Sequence, residues 1–571
     1  MDKKKLKRKP LPSGICDFKE IIVKNCEYVD KTSFIVELLD KKEKVINVLR
    51  PRRFGKTLMQ STLKYFFDIR EGEENKKLFK GLDIEKSPYF EEQGRYPVID
   101  LTFKNIREKD WEKCLKKFIK VVAKEYSNHK YLIKENGILD EEDREYFNLI
   151  LKGQGDEVDL SDSLANLSQF LFKYYKKEVI ILIDEYDTPI LEGELEGYYK
   201  EVTKFMSVFL SAALKGNSYL NFGVMTGIIK LSNAGIFSEL NNVDFYPITN
   251  KNYSDKFGFT EKEVKGLLAN YGMEDKYEEV KGWYNGYTIG NDRIYNPYSL
   301  LKYISEGELI SGWLSTSGNE LVKKKLKVLL GNVERKGIVK AMENLYNGLE
   351  VEIEPLEDVN INEMENMEEI LSLLLHAGYL TFEYAGEKGE RRDSVLKVRI
   401  PNREVREVYK TIQRDILSDK YKDREFGELL KSIEAGSKEE IERVMKEQLQ
   451  DASFHDFGSK NLERDYHNFV HGMIRALGNK YEITSNREVG MGRCDIILIP
   501  RSSRVECGII LEFKAGNGEE KAEKLAKEAL EQIKSKGYTQ ELKKKGVSKR
   551  RIIGMGFIKK GVSVLVENYN S

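Results

Sequence analysis

Cysteine is scarce in this chain of 571 residues; there are five, Cys16, Cys26, Cys114, Cys494 and Cys507. An odd number at scattered spacing supplies no disulfide framework, zinc-ligand pair or redox motif. Reduced thiols in a cytoplasmic protein are the expectation. Histidine is equally rare. His129, His376 and His455 are isolated, and only His467 and His471 stand four apart, as on one helix face. That spacing could hold zinc, but no third ligand accompanies it, so helix packing or a face toward nucleic acid is the simpler reading. No apolar run approaches the roughly 18 residues needed to span a bilayer. The basic stretch Met1 to Pro10 has no apolar segment behind it, unlike a secretory leader, and reads as a solvated tail. Charge of one sign is also missing, since 95 Lys and Arg balance 95 Asp and Glu. A basic whole-protein surface is therefore not available to argue for nucleic acid, and any such site must be local. The densest basic cluster is Lys543, Lys544, Lys545, Lys549, Arg550 and Arg551. It suits phosphate, though a solvated loop before a strand would look the same.

Hydrophobic residues make up 40% and charged residues 33%, enough apolar material for several cores. Length suggests about three or four domains. Internal repeats and long Gly, Ser or Pro linkers are absent, so boundaries come from changes of pattern. From Val45 to about Ile248, short β-branched runs alternate with helical stretches. The runs are Val45–Leu49, Pro97–Phe103, Val179–Ile183 and Tyr219–Thr226. Near-continuous apolar strands separated by helices predict a parallel sheet covered on both faces. Residues 251–350 read as a helical lid region, with aromatic turns such as Trp283-Tyr-Asn-Gly-Tyr287 that suit core packing better than base stacking. Residues 351–450 read as a mixed and helical linker region. There, a helix from Asn366 to His376 precedes a hairpin of Tyr379–Tyr384 and Ser394–Ile400, for which a winged-helix-like unit is one reading. Residues 451–571 form the last domain, and 1–250 the first.

Arg50-Pro-Arg-Arg-Phe-Gly-Lys-Thr57 directly follows the Val45–Leu49 run and precedes an apolar-periodic helix. Strand, Gly-Lys-Thr and helix form the context of a phosphate-binding loop. Backbone N–H groups of Arg52, Arg53, Phe54 and Gly55, with the helix N-terminus, can face phosphate. Lys56 can reach the β- and γ-phosphates, and the Thr57 hydroxyl can bind Mg²⁺. The usual pattern has Gly where this chain has Arg50. A second motif supports the first. Val179-Ile-Ile-Leu-Ile-Asp184-Glu185 is an apolar strand delivering two acids to its end. Asp184 can hold Mg²⁺, and Glu185 can polarise an attacking water. Thr226, at the end of the next strand, stands where a γ-phosphate sensor would sit; an ordinary polar strand end would look the same.

A second constellation lies near the C-terminus. Gly492-Arg-Cys-Asp495 precedes the strand Ile496–Ile499, and Cys507-Gly-Ile-Ile-Leu-Glu512-Phe-Lys514 forms another. Alternation puts Glu512 and Lys514 on one face. Asp495 and Glu512 can then converge on one cation, and two carboxylates, a backbone carbonyl and waters suit Mg²⁺. Such a metal polarises a phosphodiester and activates a bound water, which Lys514 would orient or activate, unless it stabilises the developing charge. Glu463 lies beside a helical apolar stripe and could point at the metal. Gln532, beside Leu525 and Ala529 on the downstream helix, can look back toward the sheet, and Tyr538 follows.

These motifs resemble the bacterial AAA-ATPase-like proteins that carry a C-terminal PD-(D/E)XK nuclease domain. The matching segments are Leu11-Pro-Ser-Gly-Ile15, Tyr28-Val-Asp-Lys-Thr32, Arg50 to Thr57, Ile183-Asp-Glu-Tyr-Asp187, Thr226-Gly-Ile, Gly235-Ile-Phe-Ser-Glu-Leu-Asn-Asn242 and Tyr295-Asn-Pro-Tyr-Ser299. The arginine-rich loop looks like that family's own variant. The order Glu463, Asp495, Glu512-x-Lys514, Gln532, Tyr538 resembles its nuclease core. The resemblance covers nearly the whole chain, least securely between about 310 and 450. It implies an α/β protein with an additional-strand AAA-like ATPase sheet and a restriction-endonuclease-like C-terminal domain. It also implies that Tyr28–Thr32 lies near the nucleotide, and that Arg52 and Arg53 contact phosphate or the transition state.

Three functions compete at this point. The first is an ATP-regulated, Mg²⁺-dependent nuclease acting on nucleic acid, expected to be DNA. The second is an ATP-driven switch whose nuclease fold only grips nucleic acid. The third is an ATP-dependent assembly or signalling protein. Intact Asp495, Glu512 and Lys514 favour the first over the second, and the basic cluster favours nucleic acid over the third. A membrane partner is not expected. A homo-oligomer remains open, since no arginine finger can be assigned.

Overall fold

The computed structural model describes residues 8–135, 137–231, 240–309, 311–312, 324–325, 341–342, 344–346, 348–361, 364, 366–384, 395–409, 423–451, 470, 481–489, 492–501, 507–516, 521–558 and 561–570. Glu463, His467, His471 and the Gly235–Glu239 part of its motif lie outside them. The chain folds as two compact units, Met1–Tyr409 and Lys410–Ser571.

The first unit is built on a five-stranded parallel sheet. Its strands are β1 (Val45–Leu49), β2 (Val98–Thr102), β3 (Val179–Asp184), β4 (Leu220–Gly227) and β5 (Val243–Tyr246). Every residue of β1 and β3 is buried. Such runs form only where helices cover both sheet faces, and each fully buried Ile, Leu or Val contributes about 1.5–3 kcal/mol. The spatial order is β2-β3-β4-β1-β5. Thus β4 is inserted between the phosphate-loop strand β1 and the acid strand β3, pairing in parallel with both. This is the additional-strand arrangement the family resemblance implies. Helix α1 (Lys56–Phe67) follows β1. Its buried face includes Met59, Leu63, Phe66 and Phe67.

Between residues 251 and 309 the helical expectation is met by Glu261–Asn270, Tyr277–Tyr284 and α2 (Pro297–Glu306). Three short strands, Phe259–Thr260, Tyr287–Ile289 and Asp292–Tyr295, also form a small sheet. Tyr284 and Tyr287 are buried core residues, as expected of that aromatic turn. Further on, the helix Met367–His376 precedes an antiparallel pair, Thr381–Tyr384 with Leu396–Arg399, and Val351–Ile353 adds a third strand.

The second unit begins earlier than the pattern boundary near residue 451, taking in two helices of the 351–450 region, α3 (Asp423–Ala435) and α4 (Lys438–Asp451). Its sheet runs β6 (Tyr481–Val489), β7 (Gly492–Pro500), β8 (Cys507–Ala515), β9 (Lys549–Ile558), β10 (Gly561–Asn570) in spatial order. Only the β8–β9 pair is parallel. Two cores flank this sheet. One gathers Leu511, Phe513, Ile553 and Met555 with Leu429, Ile433, Val444 and Met445 of α3 and α4. The other gathers Ile497, Ile510 and Ile552 with Leu530 and Ile533 of α5 (Ala522–Ser535) and Leu542 of α6 (Thr539–Lys544). Helix, sheet, helix is the layering expected of a restriction-endonuclease-like domain.

Candidate active sites

The loop between β1 and α1 turns on two left-handed residues. Gly55 has φ 90° and caps α1 at its N-terminus, a conformation glycine adopts without cost. Arg53 has φ 68°, which costs a residue with a Cβ about 1–2 kcal/mol. Lys56 is buried, and its ammonium donates to the carbonyls of Arg50 and Pro51 at 2.8 and 3.0 Å. Burial lowers its pKa.

Arg50, the departure from the usual glycine, has a structural task. It is fully buried. One guanidinium nitrogen donates to Leu49 O and Tyr246 O, both at 2.8 Å, and to Pro247 O at 3.4 Å. The other donates to Asn252 O and Tyr253 O at 3.3 and 3.0 Å. A planar fork of donors can meet so many carbonyls at once, where an ammonium cannot. Arg50 thereby ties the base of the loop to the chain leaving β5. Burial pushes its pKa down to about 9.

Asp184, at the end of β3, is held between two threonines. Thr57 Oγ1 donates to one oxygen of Asp184 at 2.7 Å, and Thr226 Oγ1 donates to the other at 2.7 Å. Thr226 therefore faces the acid strand, and the backbone N–H of Glu185 also points at its hydroxyl, at 3.4 Å. Glu185 has φ 55°, a strained position of the kind found at functional sites. Burial raises the pKa of Asp184. Thr57 and Asp184 offer hard oxygen donors side by side, a set that fits Mg²⁺.

Asp187, in sequence no more than the last letter of the Ile183–Asp187 motif, is a buried member of this site. One oxygen accepts from the N–H groups of Ile228 and Ile229 at 2.6 and 3.3 Å. The other is buried without a hydrogen-bond partner. Burial raises its pKa to about 6, while the charges of Lys56 and Arg52 pull the other way. Arg52 itself feels burial first, then repulsion from Arg107 and attraction from Glu185 and Asp187. Arg53 is turned toward α2. Its guanidinium lies 3.7 Å from the Tyr298 ring centroid and donates to Gly312 O at 2.6 Å. Phe54 packs edge-on against Tyr287 at 5.1 Å. In the Tyr28–Thr32 segment, Lys31 pairs with Glu263 at 2.7 Å, and Thr32 OH accepts from Ile84 N–H.

In the second unit, β7 and β8 stop pairing at Ile496 and Leu511. The next two residues in that antiparallel register are Asp495 and Glu512. Their side chains replace the backbone ladder. The Asp495 N–H donates to Glu512 at 3.2 Å, and the Phe513 N–H donates to Asp495 at 2.8 Å. Gln532 of α5 donates to the other oxygen of Glu512, and Tyr538 hydrogen-bonds Gln532. Glu512 is 1% exposed. Two carboxylates held face to face, one of them buried, form a hard-oxygen donor pair that fits a divalent cation. Among the described residues no group of three or more His, Cys, Asp and Glu is arranged to hold a metal ion.

Residues 12–237 match the family model described as "Predicted AAA-ATPase", and residues 461–567 match the PD-(D/E)XK nuclease superfamily. The chain joins an AAA-ATPase-like domain to a PD-(D/E)XK nuclease superfamily domain. An uncharacterised protein from the vnfD 5′ region of Azotobacter chroococcum mcd 1 is 25% identical over 406 residues, covering 70% of this chain and 69% of its own. A solved structure, the Aeropyrum pernix ORC2 protein in ADPNP–ADP complexes, is 11% identical and spans 67% of this chain and 92% of its own. At a TM-score of 0.20 that likeness carries no weight.

Helix α5 reaches the acidic pair of the nuclease-superfamily domain because β9 is glycine-lined beneath it. Gly554 and Gly556 pair with Glu512 and Lys514. A Cβ on Gly554 would overlap Ala526 O and Leu530 N, and one on Gly556 would overlap Ala522 O. The basic cluster sits elsewhere. Lys549 pairs with Cys507, five residues before Glu512, or about 17 Å along the strand at 3.3 Å per residue. Lys543, Lys544, Lys545 and Lys549 are exposed there. Arg551 instead donates to Ile433 O, Glu434 O and Asn568, a structural role within its own unit. Cys494 is buried at the acidic pair, and burial raises its pKa, as do the Glu512 and Asp495 charges. All five cysteines are free thiols. No helix among the described residues is long and apolar enough to cross a membrane.

Proposed function

We propose that this protein binds and hydrolyses ATP in its AAA-ATPase-like domain, and that its nuclease-superfamily domain hydrolyses nucleic-acid phosphodiesters, DNA above all, under control of that ATP cycle. The observation that carries the reading is the cross-strand carboxylate pair Asp495 and Glu512, with Gln532 bonded to the second of them.

In the ATPase-like site, Lys56 leaves the carbonyls of Arg50 and Pro51 for the β- and γ-phosphates, and the N-terminus of α1 adds its N–H groups. Thr57 and Asp184 are the residues that hold Mg²⁺, and Glu185 orients and polarises the attacking water. Thr226 keeps Asp184 in register with the strand beside it. Arg52, within electrostatic reach of Glu185 and Asp187, is one arginine that would meet phosphate.

In the nuclease-type site, Asp495 and Glu512 hold the cation, with Glu463 as a candidate third carboxylate. Bound Mg²⁺ supplies Lewis acidity there, polarising the phosphodiester and lowering the pKa of water. Lys514 shares a face with Glu512 and serves the water or the developing negative charge. Gln532 fixes the rotamer of Glu512. The exposed Lys543, Lys544, Lys545 and Lys549 suit a phosphate backbone.

The test is incubation of supercoiled plasmid with purified protein and Mg²⁺, with and without ATP. The wild type is expected to cut, Asp495→Ala to lose at least about 100-fold, and Lys56→Ala to lose the ATP response while retaining cation binding. Cutting that survives Asp495→Ala would refute the site. A wild type that binds but cuts neither DNA nor RNA would favour a gripping module.

A further inference from the structure

The Tyr295-Asn-Pro-Tyr-Ser299 motif takes no part in the chemistry above, yet each of its last four residues has a definite position. Asn296 caps α2, accepting from the N–H groups of Tyr298 and Ser299 at 2.9 and 3.3 Å. Pro297 occupies the first turn, where its missing N–H costs nothing. Ser299 is buried and donates to the buried Glu404 at 2.7 Å. These three fix the start of α2 and so the direction in which Tyr298 projects. Tyr298 meets the guanidinium of Arg53 at 3.7 Å from its ring centroid. Gly312 closes the arrangement. Its carbonyl accepts from Arg53 at 2.6 Å, and a Cβ on it would press on the Tyr298 ring at 3.0 Å.

Arg53 thus spends its charge on an aromatic face and a carbonyl of the region after the sheet, although it lies two residues before the glycine of the phosphate loop. Its backbone is held at a left-handed φ of 68°, a strained state that persists only where surrounding contacts enforce it. A phosphate in the loop is a stronger partner for a guanidinium than an aromatic ring and one carbonyl. We infer that Arg53, Tyr298 and Gly312 form a latch between the phosphate loop and helix α2, which opens when a nucleotide's phosphates draw the Arg53 guanidinium away. The inference rests on the nucleotide-binding reading and adds a regulatory element to it: nucleotide occupancy is transmitted to α2 through Tyr298. Because opening costs the stack, the closed latch lowers the apparent affinity for nucleotide.

The experiment is a fluorescence titration of the full chain with mant-ATP and Mg²⁺, with thermal midpoints recorded for each variant. Tyr298→Ala removes the stack and is expected to bind mant-ATP about tenfold more tightly. Tyr298→Phe keeps the ring face and should restore wild-type affinity. Tyr298→Leu gives a second route to the same loss of stacking if the alanine variant folds poorly. Adding Arg53→Ala to Tyr298→Ala should abolish the gain, because a purely structural loosening of α2 would not depend on that arginine. Affinity unchanged or weakened in folded Tyr298→Ala and Tyr298→Leu would overturn the latch while leaving nucleotide binding intact. A wild type that binds no mant-ATP would overturn the nucleotide reading, and the latch with it.

Discussion

At the scale of single residues, the phosphate loop shows how one sequence position can carry either chemistry or architecture. Arg50 stands where loops of this kind usually have glycine, and its type alone suggests a phosphate ligand. Its five backbone acceptors show that it braces the loop instead. Sequence could not separate the roles of Arg50, Arg52 and Arg53, because their partners, among them Tyr246, Tyr253 and Tyr298, are distant in the chain. Asp187 was legible only as a motif letter. A Cβ on Gly227 would collide with the Tyr186 ring and press on the Asp187 carboxyl carbon at 3.2 Å. An acid with folded pKa about 6 and unfolded pKa near 3.9 destabilises the fold once it must ionise inside. The cost is absent below about pH 4, grows through the interval and is complete above about pH 6, at roughly 3 kcal/mol. Asp187→Asn should therefore gain stability over the nucleotide-free wild type as pH rises from 4 to 6.5, and little below. Denaturant titrations at both pH values check this, and a pH-independent difference would refute it.

At the scale of elements, the strands of the ATPase-like sheet were readable because unbroken apolar runs have few alternatives. Val45–Leu49 matches residue for residue, and the others agree within one residue at each end. The fifth strand, Val243–Tyr246, is not legible in the same way. It is an edge strand with alternating exposure and a charged Asp244, so it lacks the signature of a buried strand. Helix α5 was readable from its apolar stripe, but its closeness to β9 was not, since that depends on Gly554 and Gly556 lying under its backbone. Gly554→Ala should lift α5 off the sheet, lower the stability of that unit by about 1–3 kcal/mol, and withdraw Gln532 from Glu512. Calorimetry with Mn²⁺ would show weakened cation binding. Gly266→Ala, whose Cβ would meet nothing within 4 Å, is the matched control. Equal behaviour of the two variants would sink the packing argument.

At the scale of the whole molecule, the chain divides into Met1–Tyr409 and Lys410–Ser571, and the second unit has cores of its own on both sides of its sheet. Chains built from separate cores seldom unfold in one step. Scanning calorimetry should resolve at least two transitions. ATP with Mg²⁺ at about 100 times its Kd should raise the one belonging to the first unit by about 2.7 kcal/mol. A single transition shifted as a whole would refute this independence. The sequence by itself determined the strand–loop–helix motif, the acid strand, the paired C-terminal carboxylates and the order of domains, because local hydrophobic period and motif spacing are properties of short segments. Tertiary structure alone decided which arginine braces the loop and that Thr226 and Thr57 share Asp184. It also decided that Gln532 reaches Glu512, and that the basic cluster stands away from the acids. These depend on strand order, register and close approach between distant segments, which no local pattern encodes.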